Sequence, residues 1–202
     1  MTVEDQDTQS AVETAFKWVH RVYRESRLLL NEATDLLGRS GFESWYDKPE
    51  SAQGDTTYLL AKYFSTPAEI DATGGTDIFV AISLYPDGKY RRASGARLVV
   101  GTVLRTREDV GYILKVVNVA ARAPGTAGWF RIASGAEDDL VVCVSSDAGR
   151  AEFPGIELVR SVALPLTCFR TSNDIDEVVC AVVRMRDGDD TAMRELLGRF
   201  HK

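Results

Sequence analysis

Ile78 to Tyr85 reads IFVAISLY, and beyond the turn Pro86-Asp87-Gly88 the stretch Arg97 to Arg105 reads RLVVGTVLR. Both are short apolar runs rich in β-branched residues and bounded by turn residues, which predicts two neighbouring antiparallel strands. Leu98, Val100 and Val103, or Val99 and Leu104, supply the inner face of the second strand, depending on register. Thr57 to Phe64, rich in Tyr, Leu and Phe, predicts a strand ahead of them, and Pro67 to Gly75 a loop with a Gly74-Gly75 turn. Gly128–Ala133 and Leu140–Ser145 flank the acidic turn Glu137-Asp138-Asp139 and predict a hairpin. Ile156 to Phe169 is apolar but holds Pro165, so a strand there is expected to be short, at an edge, or replaced by extended chain. The expectation is an antiparallel sheet of about five strands.

Helices surround this pattern. From residue 10 to 37, Val12, Ala15, Val19, Val22, Ser26, Leu29, Ala33 and Leu36 recur in steps of three and four, and Phe16, Tyr23, Leu30 and Leu37 follow at intervals of seven. Gly38 and Gly41 are the stop signals. So regular a heptad suits a coiled-coil seam, but a third apolar row widens the stripe and favours packing on a sheet or bundle. Phe42, Trp45 and Tyr46 follow, then a polar linker from Asp47 to Asp55. Thr106-Arg-Glu-Asp109 has capping-box character and opens a helix over 107–122, ended by Pro124-Gly125. Val110, Ile113, Leu114, Val117, Ala120 and Ala121 form one apolar face, and Tyr112, Val116 and Val119 a second beside it. The apolar arc spans on the order of 220 degrees, more than one side of a core requires, so a partner subunit or the N-terminal helix must cover the second side. After Ser172-Asn-Asp, Ile175, Val178, Val179, Val182 and Val183 fit a helix, with a strand still open to the β-branched content. Gly188-Asp189-Asp190 then breaks to a final amphipathic helix holding Ala192, Leu196, Leu197 and Phe200. The whole reads as one α+β domain over 1–202, in the order α-βββ-α-ββ-α, with helices 10–37 and 173–200 flanking a sheet region 57–169.

Composition bounds the function. The chain has 202 residues, 45% hydrophobic and 27% charged, a balance that suits a globular protein and excludes a disordered or fibrous one. The net charge of -6 disfavours nucleic acid or anionic lipid as the main partner. Met1 to Asp7 is acidic, and the longest apolar runs are too short to cross a bilayer, so a cytoplasmic protein with no membrane partner is expected. Cys143, Cys168 and Cys180 are widely spaced in apolar surroundings and read as buried free thiols.

Chemistry-bearing patterns are sparse. The only histidines are His20, on the polar side of the first helix, and the penultimate His201. Neither suits a base beside a Ser or Cys nucleophile. No phosphate loop, dinucleotide fingerprint, Gly-x-Ser-x-Gly or zinc spacing occurs, so neither a cofactor nor a metal is expected. Asp187, Asp189 and Asp190 share a turn that lacks the glycine and distant glutamate of a calcium loop. An enzyme built without histidine would need a carboxylate and arginine site, for which Glu69, Asp71, Asp77 and Arg92 are the candidates. A nucleic-acid binder would use the basic run Lys89, Arg91, Arg92, Arg97, Arg105 and Arg107, with Tyr90 as a stacking group. Lys17, His20, Arg21, Arg24 and Arg27 add positive charge to the outer face of the first helix, and Trp45 and Tyr46 are candidate ligand anchors.

The order of elements resembles the type III secretion chaperone-like fold, which includes the YbjN-type bacterial proteins. The stretch that carries the likeness is Ile113-Leu-Lys-Val-Val-Asn118, then Gly128-Trp-Phe-Arg-Ile132, the acidic turn, and Leu140-Val-Val-Cys-Val144. The first helix is longer than in that family, and the Pro165 segment is additional. The resemblance implies a small acidic non-enzymatic protein, commonly a homodimer, that binds another polypeptide or regulates an assembly. On this reading the protein is a chaperone-like adaptor whose partners are a second copy of itself and an unidentified client. Its contact residues are Tyr112, Val116, Val119, Lys17, Arg21, Arg24, Arg91, Arg92, Trp45 and Tyr46.

Overall fold

The computed structural model describes residues 3–46, 49–54, 57–70, 72–85, 95–106, 130–134, 140–152 and 154–200. The expected helix over 107–122 lies outside the described residues, and with it Tyr112, Val116 and Val119. The elements in chain order are α1 (Val3–Arg39), β1 (Glu43–Ser44), β2 (Glu50–Gly54), β3 (Thr57–Ser65), α2 (Pro67–Ile70), β4 (Gly75–Tyr85), β5 (Gly95–Arg105), β6 (Phe130–Ser134), β7 (Leu140–Ser145), α3 (Asp147–Glu152), β8 (Ile156–Pro165), α4 (Ser172–Arg186) and α5 (Thr191–Phe200). The α+β class is as the sequence predicts.

All pairings are antiparallel, in the order β1-β3-β4-β5-β8-β7-β6, with β2 also on β3. Among the described residues the sheet has eight strands, against the expected five or so. One addition is β2, where a polar linker was expected: Glu50–Gly54 pairs with Thr57–Ala61, so the ladder overrides composition. Another is β8, expected to be short or at an edge, which instead spans ten residues between β5 and β7. Pro165 is tolerated because it is the last residue of the strand, opposite Arg97. Residues 175–186, open between strand and helix, are helical in α4, and the loop 67–75 contains the short α2.

Register answers which face of each strand turns toward the helices. Leu60, Ile82, Leu98 and Leu164 stand in one row across the sheet, and Val80, Val100, Val162 and Leu140 in the next. These residues form one buried cluster with Leu30, Ala33 and Leu37 of α1, Val178, Val182 and Met185 of α4, and Leu196 of α5. Burying each such Leu, Ile or Val contributes about 1.5–3 kcal/mol. The opposite face carries Tyr63, Phe79, Val99, Val103 and Val159, which are also buried. Phe79 pairs with Gly101, where any β-carbon would collide with the phenyl ring and with the Arg160 carbonyl. Glycine is therefore required for β4, β5 and β8 to approach this closely.

Of the two expected stop signals for α1, Gly41 does the work, with φ 86° and Phe42 N–H returned to Leu37 O at 3.0 Å. Gly38 stays inside the helix.

Candidate functional site

Among the described residues, three places gather chemistry-bearing side chains. The first lies at one end of the sheet, on the face opposite α1 and α4. Arg105 Nε donates to Asp77 Oδ2 at 2.7 Å, and Arg105 Nη1 donates to Ala72 O at 3.0 Å. Arg105 Nη2 donates to Glu69 O, and the Ser65 hydroxyl donates to Asp77 Oδ1. Trp45 Nε1 donates to Ser65 Oγ at 2.9 Å, and its ring lies 4.7 Å from the Arg105 guanidinium. Asp77 and Arg105 are both withdrawn from solvent. Burial pushes the Asp77 carboxyl above its ordinary value, against the pull of Ser65 and Arg105.

Beside it, the half-exposed Glu69 carboxylate pairs with Arg186 and accepts from Thr66 Oγ1 at 2.7 Å. Burial alone would raise Glu69, but Thr66, Arg186 and the Thr76 N–H together hold it below the usual carboxylate range. Arg186 Nε also reaches Thr76 O at 3.0 Å, which ties α4 to the start of β4.

Two of the four expected enzyme residues, Glu69 and Asp77, are thus brought together, while Asp71 and Arg92 lie outside the described residues. The guanidinium beside Asp77 is that of Arg105. With Asp77 sealed from water and Glu69 already paired, the arrangement is a clamp joining the β3, β4 and β5 ends to α2 and α4. Among the described residues, neither of its two carboxylates is left open to a substrate. The same geometry corrects the basic run: Arg105 is internal and Arg97 is half-buried, donating to Ala163 O at 3.2 Å. Lys89, Tyr90, Arg91, Arg92 and Arg107 lie outside the described residues. Of the two aromatic anchors, Trp45 is committed to the clamp and Tyr46 is exposed. With Gly75 opposite Arg105 and Asp77 opposite Val103, the two charges are diagonal neighbours on one face, a relationship that the strand register fixes and that composition alone does not reveal.

The second place is α5 against α4, where Arg199 reaches Glu177 and the groove is lined by Cys180, Arg184 and Glu195. Cys180 is exposed and Cys168 half-buried, which corrects the expectation of three buried thiols; only Cys143 is buried. Helical periodicity turns Cys180 outward between the buried Val178, Val179 and Ala181. Burial and the carboxylates of Asp176 and Glu177 push its thiol up, and burial pushes Cys143 up to about 12, so neither favours a thiolate nucleophile. Among the described residues, no group of three His, Cys, Asp or Glu is placed to hold a metal ion.

The third place is α1 itself. Its heptad row Val12, Phe16, Val19, Tyr23, Ser26, Leu30, Ala33, Leu37 divides in two. Leu30, Ala33 and Leu37 are buried in the core, and Ser26 is the first buried residue of the row. Between Ala11 and Glu25 every residue except the half-buried Val22 is exposed. Phe16, Val19 and Trp18 are 72%, 67% and 61% exposed. Packing on the sheet therefore accounts for only the second half of the stripe. At 100 degrees per residue, His20, Arg24 and Arg27 run along one flank of this bare row, with Lys17 and Arg21 beyond them and Trp18 on the other flank. Arg21 pairs with Glu25 at 2.8 Å and lies over Trp18; Arg27 lies over Tyr23. Lys17, Arg21 and Arg24 are thus exposed together, as expected, but beside an apolar row whose width favours packing on a sheet and which is instead exposed.

Comparison with family models, curated proteins and solved structures gave no match to this chain. No helix among the described residues is long and apolar enough to cross a membrane.

Proposed function

We propose that this protein is a non-enzymatic binding module of the cytoplasm, an adaptor or chaperone-like protein, and that its docking element is the first half of α1. The observation that carries this reading is the exposed heptad row: Val12, Phe16, Val19 and Tyr23 continue the spacing of Leu30 and Leu37 but, unlike those two, present their side chains to solvent. A row of large apolar side chains at coiled-coil spacing is costly to leave in water, and its edge of basic residues gives a partner helix both area and orientation. The sealed Asp77–Arg105 pair supports the same reading, because the carboxylates best placed for catalysis hold the fold together instead.

The test is site-specific photo-cross-linking in the cells that make the protein. A photoreactive residue at Phe16 or Val19 should give discrete polypeptide adducts, while one at the exposed Asn173 of α4 should not. Adduct-free positions 16 and 19, or equal yields at all three, would refute the assignment.

A further inference from the structure

We infer that the occupant of the bare row is the α1 helix of a second copy of this chain, lying antiparallel; this rests on the reading of α1 as the docking element. Two features on the helix favour it. The first is spacing. Antiparallel helices pair each first heptad position with the fourth position of the partner. If the contact is centred between Lys17 and Trp18, Val12 meets the partner copy's Tyr23 position and Phe16 meets its Val19 position, filling four consecutive layers with apolar side chains. Shifting by one heptad would place Phe16 against the polar Ser26 and ask for Leu30, which the core has already buried.

The second feature is charge. Glu4, Asp5, Asp7 and Glu13 crowd the start of α1, and Lys17, Arg21, Arg24 and Arg27 follow. Antiparallel overlap brings the acidic start of one helix beside Arg24 and Arg27 of the other and sets Glu13 near the second His20. Parallel overlap would stack acid on acid and base on base. An anionic lipid surface would attract the basic flank but repel the four carboxylates ahead of it, so it fits the helix less well than a second copy does.

The experiment uses the full chain with Cys168→Ser and Cys180→Ser, carrying either Val12→Cys or Tyr23→Cys, treated with a short bis-maleimide. A covalent dimer should form when the two variants are mixed and not from either alone. In sedimentation equilibrium the unmodified protein should dimerise at micromolar concentration. Reversing Arg24 and Arg27 to Glu should weaken the dimer by about tenfold or more, and further reversal of Glu4, Asp5 and Asp7 to Lys should restore it. Cross-linking of either variant with itself, a dimer insensitive to Arg24→Glu/Arg27→Glu, or a monomer that floats with phosphatidylserine vesicles would each overturn the inference. A monomer whose Phe16 photo-adduct contains a different polypeptide would also overturn it while leaving α1 as the docking element; loss of all adducts would remove both.

Discussion

Arg105 on β5 and Asp77 on β4 form an ion pair at 2.7 Å that no solvent reaches, and the remaining nitrogens of the same guanidinium serve the main-chain oxygens of Ala72 and Glu69. A strand pair from the sheet interior is thereby fastened to the loop that carries α2.

Breaking this pair from one side leaves a buried charge without its counterpart. Asp77→Ala or Arg105→Ala should each cost about 3–5 kcal/mol, read from urea unfolding. Arg105→Lys should recover only a minor part of the loss, because a single ammonium cannot reproduce the fork that reaches three acceptors. A cost under about 1 kcal/mol for either alanine would mean that the pair does not fasten the sheet end.

The two carboxylates of the cluster respond to pH with opposite signs. Glu69 sits below its ordinary value in the folded chain, so its contribution is present above that ordinary value and is lost as pH falls through the lowered one. Asp77 is raised, so its contribution is present below its ordinary value and lost as pH rises through the raised one. Melting temperatures recorded from neutral to about pH 3 should therefore fall less steeply for Glu69→Gln than for the unmodified protein. Parallel curves would contradict this.

Gly101 tests the close approach of three strands. Gly101→Ala should destabilise by about 3 kcal/mol or more, since the new methyl meets both the Phe79 ring and the Arg160 carbonyl. Trimming the ring with Phe79→Leu should not rescue it, because the carbonyl belongs to the backbone and cannot step aside. Full rescue in denaturant titrations would show that the ring alone is the obstacle.

One heptad row should give two kinds of alanine variant. Leu30→Ala removes a core side chain and should cost about 2–5 kcal/mol. Phe16→Ala and Val19→Ala, on the same row, should change the stability of the isolated chain by less than about 0.5 kcal/mol. Circular dichroism during urea unfolding at a concentration below self-association separates the two cases.

Much of the fold is legible from local pattern. The strands at 57–65, 75–85, 95–105 and 140–145, the hairpin β6–β7 and the long first helix follow from apolar runs, turn residues and period. Glu50–Gly54 was not legible, because its strand character comes from the ladder with β3 and not from its own polar side chains. The strand at Ile156–Pro165 was only half legible. Its apolar run is plain, but a proline warns against a central strand unless it is known to fall at the very end. In the candidate site, the charge of Lys17, Arg21 and Arg24 is legible in the sequence, whereas Phe16 and Val19 read as part of a stripe that packs on the sheet, and the exposed Trp18 carries no sequence signal. Periodicity reports which face of a helix is apolar and is silent on how far along the helix a core extends.

That limit separates what the chain determined alone from what tertiary structure decided. Composition, alternation and turn chemistry are properties of neighbouring residues, so the α+β class, the antiparallel pairing and the amphipathic length of α1 are written locally. Which strands neighbour which, where Arg105 finds its carboxylate, and the point on α1 beyond Ser26 where the core ends depend on register between segments far apart in sequence. Those distances are set only when the sheet closes its ladder, and they turn one uninterrupted heptad into a buried half and a bare one.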